Sequence, residues 1–404
     1  MLTSILLRNF KAFAEIEIPL SRLTLLTGLN SSGKSTVLQA LALLRQAQFG
    51  PGVEFAFALN GEFVELGLGR DVRHEAWIKG TTTPGAIEIE LRSDLNDPDN
   101  ELRGRAFWSA EYAAEEDLLR ISRNFDLGSL IDRDDRRLDR DALGRDEKLR
   151  RELDRDFRAH ETIDRAAFFQ YLRADRINPA VSYLRSTAVQ HGFLGARGEH
   201  AVNYLRIHQD DEVAEDLRHS EAVSNTLLRQ TEAWLGYLCP GVNLQATGID
   251  GTDAVRLSYS QGTGGLSSSN RYRPTNVGFG LTYALPIVIA CLTARPGSLI
   301  LLENPEAHLH PRGQSAMAQL IARAAASGAQ LIVESHSDHV LNGLRIAVKR
   351  AILTPKDLQL LYFRTDDVGV KHVDPIEVRP SGSIENWPPG FFDEWDHALD
   401  VLID

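Results

Sequence analysis

Residues Gly28 to Thr36 read GLNSSGKST and fit the spacing G-x-x-x-x-G-K-[ST], which is the pattern of a phosphate-binding loop. In such a loop the backbone N–H groups of Asn30, Ser31, Ser32, Gly33 and Lys34 wrap phosphate oxygens, and the N-terminus of the following helix adds partial positive charge. Lys34 would reach the β- and γ-phosphates, and Ser35 would ligate magnesium. A nucleoside triphosphate with Mg2+ is the ligand this chemistry implies. The bland alternative is a chance Gly/Ser turn before a helix, and the agreement of loop and flanks stands against it. A loop of this kind needs a second carboxylate at the end of a neighbouring strand, to hold the magnesium hydration shell and orient the attacking water. Two apolar runs end in suitable residues: Leu299–Leu302 runs into Glu303-Asn304-Pro305-Glu306, and Leu331–Val333 into Glu334-Ser335-His336. Polar residues at strand ends lie at the C-terminal rim, where open α/β sheets bind ligands.

Several elements must position these groups. Leu23–Leu26 reads as a buried strand entering the loop, and Ser35–Gln46 has helical apolar spacing. Ile5–Phe10 and Ala14–Pro19 alternate as an antiparallel pair ahead of it. Strands are expected at Phe63–Leu66, Ala76–Ile78 and Ala86–Leu91, and helices through Glu161–Leu172 and Glu212–Leu235. The tract Asp132–Arg158 carries ten residues of each sign, so it reads as solvated helix; its leucines lack heptad spacing. Gln261–Asn270 reads as a Gly/Ser-rich loop. Beyond it, Asn276–Gly280 opens a helix, Ser298–Leu302 and Gln330–Glu334 are buried strands, and Arg312–Ala325 and Asp338–Lys349 are helices. Alternation of strand and helix implies an α/β core with parallel strands.

The 404 residues carry a net charge of −12, and a pI near 5.5 argues against a nucleic-acid binder over the whole surface while leaving a local basic patch open. Arg150, Arg151, Arg155 and Arg158 could form such a stripe, but interleaved acids weaken phosphate contact. Cys239 and Cys291 lack metal-ligand spacing and read as thiols in a reducing compartment. The N-terminus has no secretory signal, and the longest apolar stretch, Ala284–Ala294, is too short to span a bilayer. A soluble cytoplasmic protein without a membrane partner is expected.

The motifs in their order resemble the ABC-class ATPases of the RecF, SMC and OLD type, in a prokaryotic branch known as AAA family ATPases. Arg8-Asn9-Phe10-Lys11-Ala12-Phe13 resembles the family's opening strand, and Gly28–Thr36 its Walker A loop. Asn276–Gly280 is similar to the signature segment, Leu299–Pro311 to Walker B and the D-loop, and Glu334–His336 to the switch-histidine strand. The resemblance extends to Tyr171–Arg176 and to Trp387–Asp393. It implies a P-loop NTPase fold, an ABC-ATPase head with a mixed sheet, N-terminal antiparallel strands and a helical insertion. The expected division is an N-terminal lobe at 1–110, a mainly helical insertion at 111–265, and a C-terminal lobe at 266–404. The resemblance also implies ATP and Mg2+ as ligands, with Lys34 on the phosphates, Ser35 and Glu303 on the metal, and His336 sensing the γ-phosphate. Asn276, Gly278 and Gly280 would approach the γ-phosphate bound by a second subunit, in a head-to-head homodimer open to higher assembly.

The chain departs from the family at Asn304, where many relatives carry the general-base glutamate. An amide cannot take a proton from water at neutral pH. Either Glu306 serves as base from two residues on, or hydrolysis is slow and the chain works as a nucleotide-gated clamp; a helix-entry or D-loop contact is an equally good account of Glu306. His308, His310, His336 and His339 do not match a zinc arrangement, and His308 and His310 read as partner contacts or helix caps. Two functions remain. One is an ATPase whose dimer cycle is coupled to DNA maintenance or anti-phage defence through a separate effector encoded nearby. The other is a scaffold or sensor that hydrolyses slowly and controls a nuclease or toxin. DNA stays open as a partner, and an OLD-type nuclease domain is not expected in the segment that follows His336.

Overall fold

A computed structural model describes residues 1–50, 53–75, 85–94, 103–123, 169–186, 192–238, 240–262 and 270–403. The charged tract 132–158 with its arginine stripe, the expected strand at 76–78 and Cys239 lie outside these. The chain forms two compact units. The first comprises residues 1–21, 31–166 and 365–371, and the second residues 22–30, 167–364 and 372–404.

The strands in chain order are β1 (Leu2–Phe10), β2 (Phe13–Pro19), β3 (Leu23–Gly28), β4 (Gln48–Gly50), β5 (Val53–Ala58), β6 (Ile87–Asp94), β7 (Arg103–Ala110), β8 (Leu118–Arg123), β9 (Phe169–Leu172), β10 (Tyr183–Leu184), β11 (Val242–Gly248), β12 (Ala254–Gln261), β13 (Leu299–Glu303), β14 (Gln330–Glu334), β15 (Leu358–Thr365) and β16 (Lys371–Ile376). In the first unit seven of them form one sheet in the order β2-β1-β6-β7-β8-β5-β4. Its pairs are antiparallel, with Leu7 of β1 opposite Ile16 and Ile89. This matches the alternation read at Ile5–Pro19. The helix α1 (Lys34–Gln46) also belongs to this unit, with most of its residues buried.

In the second unit the order is β16-β15-β3-β14-β13-β9, and the run from β15 to β9 is parallel. β3 and β14 are buried on both faces apart from the end of β3. Unbroken apolar runs such as Leu23–Leu26 and Leu331–Val333 are what a two-faced parallel sheet requires. The remaining helices are α2 (Gly69–Val72) in the first unit and α3 (Ala201–His208), α4 (Leu227–Leu238), α5 (Phe279–Leu292), α6 (Pro311–Ala326), α7 (Asp338–Lys349) and α8 (Glu394–Ile403) in the second. From Gly280 to Leu292 every residue of α5 except Tyr283 is buried, which marks it as the core helix of its unit. β10, β12 and β11 make a small antiparallel sheet.

Three sequence expectations are corrected. Phe169–Leu172 is a strand, not the end of a helix, because all four residues are buried and pair in parallel with Leu299–Leu302. Phe63–Leu66 forms no strand: the buried Gln46 side chain accepts from Phe63 N and Val64 N at 2.8 and 3.0 Å and donates to Val64 O at 3.2 Å. That side chain satisfies backbone groups which a neighbouring strand would otherwise pair. The helix expected from Glu212 begins only at Leu227; before it lie a bridge between Glu212 and Thr226 and a single tight turn at Glu215–Leu217.

Candidate functional site

β3 delivers the chain into the glycine-rich loop. Gly28 sits at φ 134°, and a Cβ there would lie 2.0 Å from Phe363 O of the neighbouring β15, so only glycine fits. Asn30 and Ser31 are exposed, and Ser31 turns the chain at φ 63°. Gly33 follows at φ 104°, where a Cβ would meet the Phe13 ring at 2.5 Å and Ala12 Cβ at 2.9 Å. The aromatic of the opening strand thus packs on the loop glycine. Lys34 is 3% exposed, with Nζ 3.5 Å from Ser32 Oγ. Ser35 and Thr36 lie in the first turn of α1, which Gly33 caps.

In the second unit the parallel register aligns the polar strand ends. Glu303 stands opposite Glu334, and Glu334 opposite Leu26. The turn after β13 is tied to the end of β14: Asn304 N donates to Glu334 O at 2.8 Å, and His336 N donates to Glu306 Oε1 at 2.9 Å. Asn304 adopts φ 44°, a left-handed conformation that asparagine tolerates. The Glu303 carboxylate accepts from the Tyr171 hydroxyl and, at 2.8 Å, from Ala174 N. Burial and the charge of Glu303 hold the Tyr171 hydroxyl well above its ordinary pKa, so it stays a donor. Each carboxylate oxygen keeps a further lone pair, so the geometry fits a group that holds a hydrated cation.

Glu306 faces inward. Its Oε2 is buried without a hydrogen-bond partner, and burial raises its pKa against the lowering effect of the His336 N–H and of the Arg176 charge. His336 is half exposed, its Nε2 4.0 Å from Glu334 Oε1. Ser335 N donates to Leu26 O at 3.1 Å, fixing the switch-histidine turn to the strand that feeds the loop.

The signature segment lies at the start of α5. Pro274–Asn276 is a tight turn, and Gly278 caps the helix. Asn276 and Gly278 are exposed, and Phe279 is 52% exposed. Gly280 is buried, and a Cβ there would lie 2.6 Å from His308 O. The His308 ring packs against Tyr283 at 4.6 Å and Phe279 at 5.8 Å, while His310 Nδ1 accepts from Arg312 N at 3.3 Å and caps α6. Arg8 is paired with Glu15 and Glu88, and Lys11 donates to Gln39 Oε1 at 2.7 Å. The expected residues therefore fall into two sets: Gly28, Asn30, Asn276, Gly278, Gly280, Glu303, Asn304, Glu306 and His336 belong to the second unit, and Ser31–Thr36 to the first. Among the described residues no group of three or more His, Cys, Asp or Glu side chains could hold a metal ion by itself, and no helix is long and apolar enough to cross a membrane.

Residues 23–342 match the family described as AAA domain, putative AbiEii toxin, Type IV TA system. The chain belongs to this AAA family. Residues 353–402 match a second family, described as a protein of unknown function (DUF3696). No curated protein matches the AAA chain in sequence. Among solved structures, an SMC head bound to the C-terminal winged-helix domain of ScpA is similar at TM-score 0.52 and 13% identity, covering 94% of this chain and 98% of that one. An SMC head domain from Thermotoga maritima gives 0.44 at 14% identity over 93% and 99% of the two chains. An SMC head with an extended coiled coil, bound to a ScpA domain derived from Pyrococcus furiosus, gives 0.48 at 12% over 100% and 99%. The AAA domain has the ABC-type P-loop ATPase head fold that the sequence resemblance implied.

Two further residues hold segments of the site: Arg176, in the stretch Tyr171–Arg176 that the resemblance includes, and Lys371, in the segment matched by the second family. Arg176, 1% exposed, donates from Nη1 to Glu303 O at 2.7 Å and to Arg173 O at 3.1 Å, and from Nη2 to Asn304 O at 2.7 Å. It lies over the Tyr283 ring of α5 at 5.5 Å. Lys371 Nζ donates to Ser31 O at 2.7 Å on the phosphate loop. The sequence resemblance reaches Arg176 through Tyr171–Arg176 without giving it a role, and Lys371 carries no sequence signal.

Proposed function

We propose that this AAA domain binds and hydrolyses ATP, and that two copies associate head to head when they do so. The observation that carries the reading is the joint presence of a phosphate loop of full pattern and a second-unit rim where Glu303, Glu306 and His336 are tied to the end of the strand feeding that loop. In this reading Lys34 and the loop amides bind the phosphates, and Ser35 and Glu303 hold magnesium, which supplies charge neutralisation at the β- and γ-oxygens. Glu306 holds the backbone of His336 so that the imidazole can meet the terminal phosphate. Asn276 and Gly278, exposed at the start of α5, supply the γ-phosphate contact to the second copy, with the helix N-terminus favouring the anion.

The ATPase cycle acts on a separate effector in DNA maintenance or anti-phage defence, in a cytoplasmic setting. Asn304 favours a second reading, an ATP-gated sensor that turns over slowly and controls a nuclease or toxin. Light scattering with and without ATP and Mg2+ tests association: a doubling of mass with ATP supports the reading, and a monomer throughout overturns it. Phosphate release in the multiple-turnover regime separates the two functions, since sustained turnover excludes the slow sensor.

A further inference from the structure

We infer that Asp393, from the C-terminal segment, is the proton acceptor for the water that attacks the terminal phosphate. The inference rests on the ATPase reading and adds the base that Asn304 does not provide.

A cavity of about 440 Å³ lies in the second unit at the end of β3. Its walls are the loop entry Thr27–Asn30, the switch His336, Tyr362 of β15 and the turn Gly390–Asp393. Asp393 is the only acidic side chain among the described residues that line it; neither Glu303 nor Glu306 does. This wall belongs to the segment matched by the second family.

The turn is built rather than draped. Phe391 is fully buried and packs edge-on against Tyr362 at 5.4 Å and Trp387 at 5.1 Å. Gly390 adopts φ 79°, and a Cβ there would lie 2.7 Å from the Tyr362 hydroxyl. Phe392 is held at φ 53°, a strained conformation for an aromatic residue that persists only where packing over-determines it. Gly390 N donates to Asp393 Oδ2 at 2.7 Å, orienting the carboxylate. Packing, close approach and backbone strain all converge on placing one acid in the cavity that His336 and the phosphate loop share.

The chemistry follows from the groups present. Water gives a proton to the Asp393 carboxylate as its oxygen bonds to the γ-phosphorus. The bond from that phosphorus to the β–γ bridging oxygen breaks, and the electron pair leaves with ADP. Asp393 then returns the proton to solvent. The Asn304 amide cannot accept that proton. Glu306 stands outside the cavity walls.

Asp393→Asn tests this, because the amide oxygen can still accept from Gly390 N and the fold should be kept. Its kcat for Mg-ATP should fall about 100-fold or more, with ATP affinity changed less than about threefold. Asp393→Glu should recover part of the turnover, and Glu306→Gln should lose less than about tenfold. Turnover of Asp393→Asn within about threefold of the parent would overturn the inference, as would Glu306→Gln showing the larger loss. If the unaltered protein binds no ATP, or Lys34→Ala hydrolyses as well as it does, the ATPase reading fails and this inference with it. If the parent hydrolyses ATP and Asp393→Asn does so equally, only this inference fails.

Discussion

Replacing Arg176 with methionine keeps the length and volume of a buried side chain and removes its charge. The guanidinium holds three carbonyls, those of Arg173, Glu303 and Asn304, and lies over Tyr283. Hydrogen bonds to a charged group contribute about 1.5–3 kcal/mol each, and the ring contact roughly 0.5–2 kcal/mol. Their sum is an upper bound, because methionine escapes the desolvation cost of several kcal/mol that a buried charge carries. That cost is visible in the Arg176 pKa, which burial pushes down to about 10. A net loss of about 3–5 kcal/mol is expected, because three carbonyls lose their donor at about 1–3 kcal/mol each, offset by the relieved desolvation. Urea unfolding at pH 7.5 should show it as a lowered midpoint at unchanged slope, in the transition of the unit that contains Trp234. With the Glu303–Asn304 turn released, turnover should also fall by about 100-fold where the variant remains folded. A change under about 1 kcal/mol with unaltered kcat would refute the view that Arg176 positions the site.

Four further outcomes are expected. Tyr171→Phe removes the hydroxyl donated to Glu303 and should raise the half-saturating Mg2+ for ATP turnover by about tenfold or more; an unchanged Mg2+ titration would separate Glu303 from the metal. Burial raises the folded-state pKa of Glu306 above its ordinary 4.5, so the folded state binds the proton more tightly and this group's contribution to stability falls as pH rises from 4.5 through the raised value. Glu306→Gln should therefore gain stability relative to the parent across that window and hold the gain above it, and a pH-independent difference in urea midpoints would contradict this. Gly28→Ala places a methyl against Phe363 O and should cost more than about 3 kcal/mol. Gly278→Arg meets open space and should leave the melting temperature unaltered while abolishing ATP turnover by the variant alone.

The sequence was most legible where chemistry demands local spacing or two-faced burial. The phosphate loop reads directly because its glycines answer to φ 134° at Gly28 and φ 104° at Gly33. The strands around Leu299–Glu303 and Gln330–Glu334 read as apolar runs because parallel strands are covered on both faces. What escaped notice depends on partners far away in the chain. Phe169–Leu172 is only four residues long, and its identity as a strand comes from pairing with β13, some 130 residues on. Arg176 lies in a stretch that resembles the family, but its task shows only when the fold brings three carbonyls to it. Phe63–Leu66 has strand composition, yet a glutamine from α1 takes up its backbone groups. Asp393 stands at the end of the resembling stretch Trp387–Asp393 without a role of its own, since nothing in local spacing says that this turn lines a cavity with the entry of the phosphate loop.

The central claim, a site completed by a second copy, is tested most directly by mixing two inactive variants. Lys34→Ala disables the phosphate loop and keeps the signature segment; Gly278→Arg does the reverse. In a head-to-head dimer, mixed pairs keep one intact site of two, so a 1:1 mixture should recover about a quarter of the parent ATPase rate although neither variant alone turns over. A mixture no more active than the sum of its parts would contradict the account.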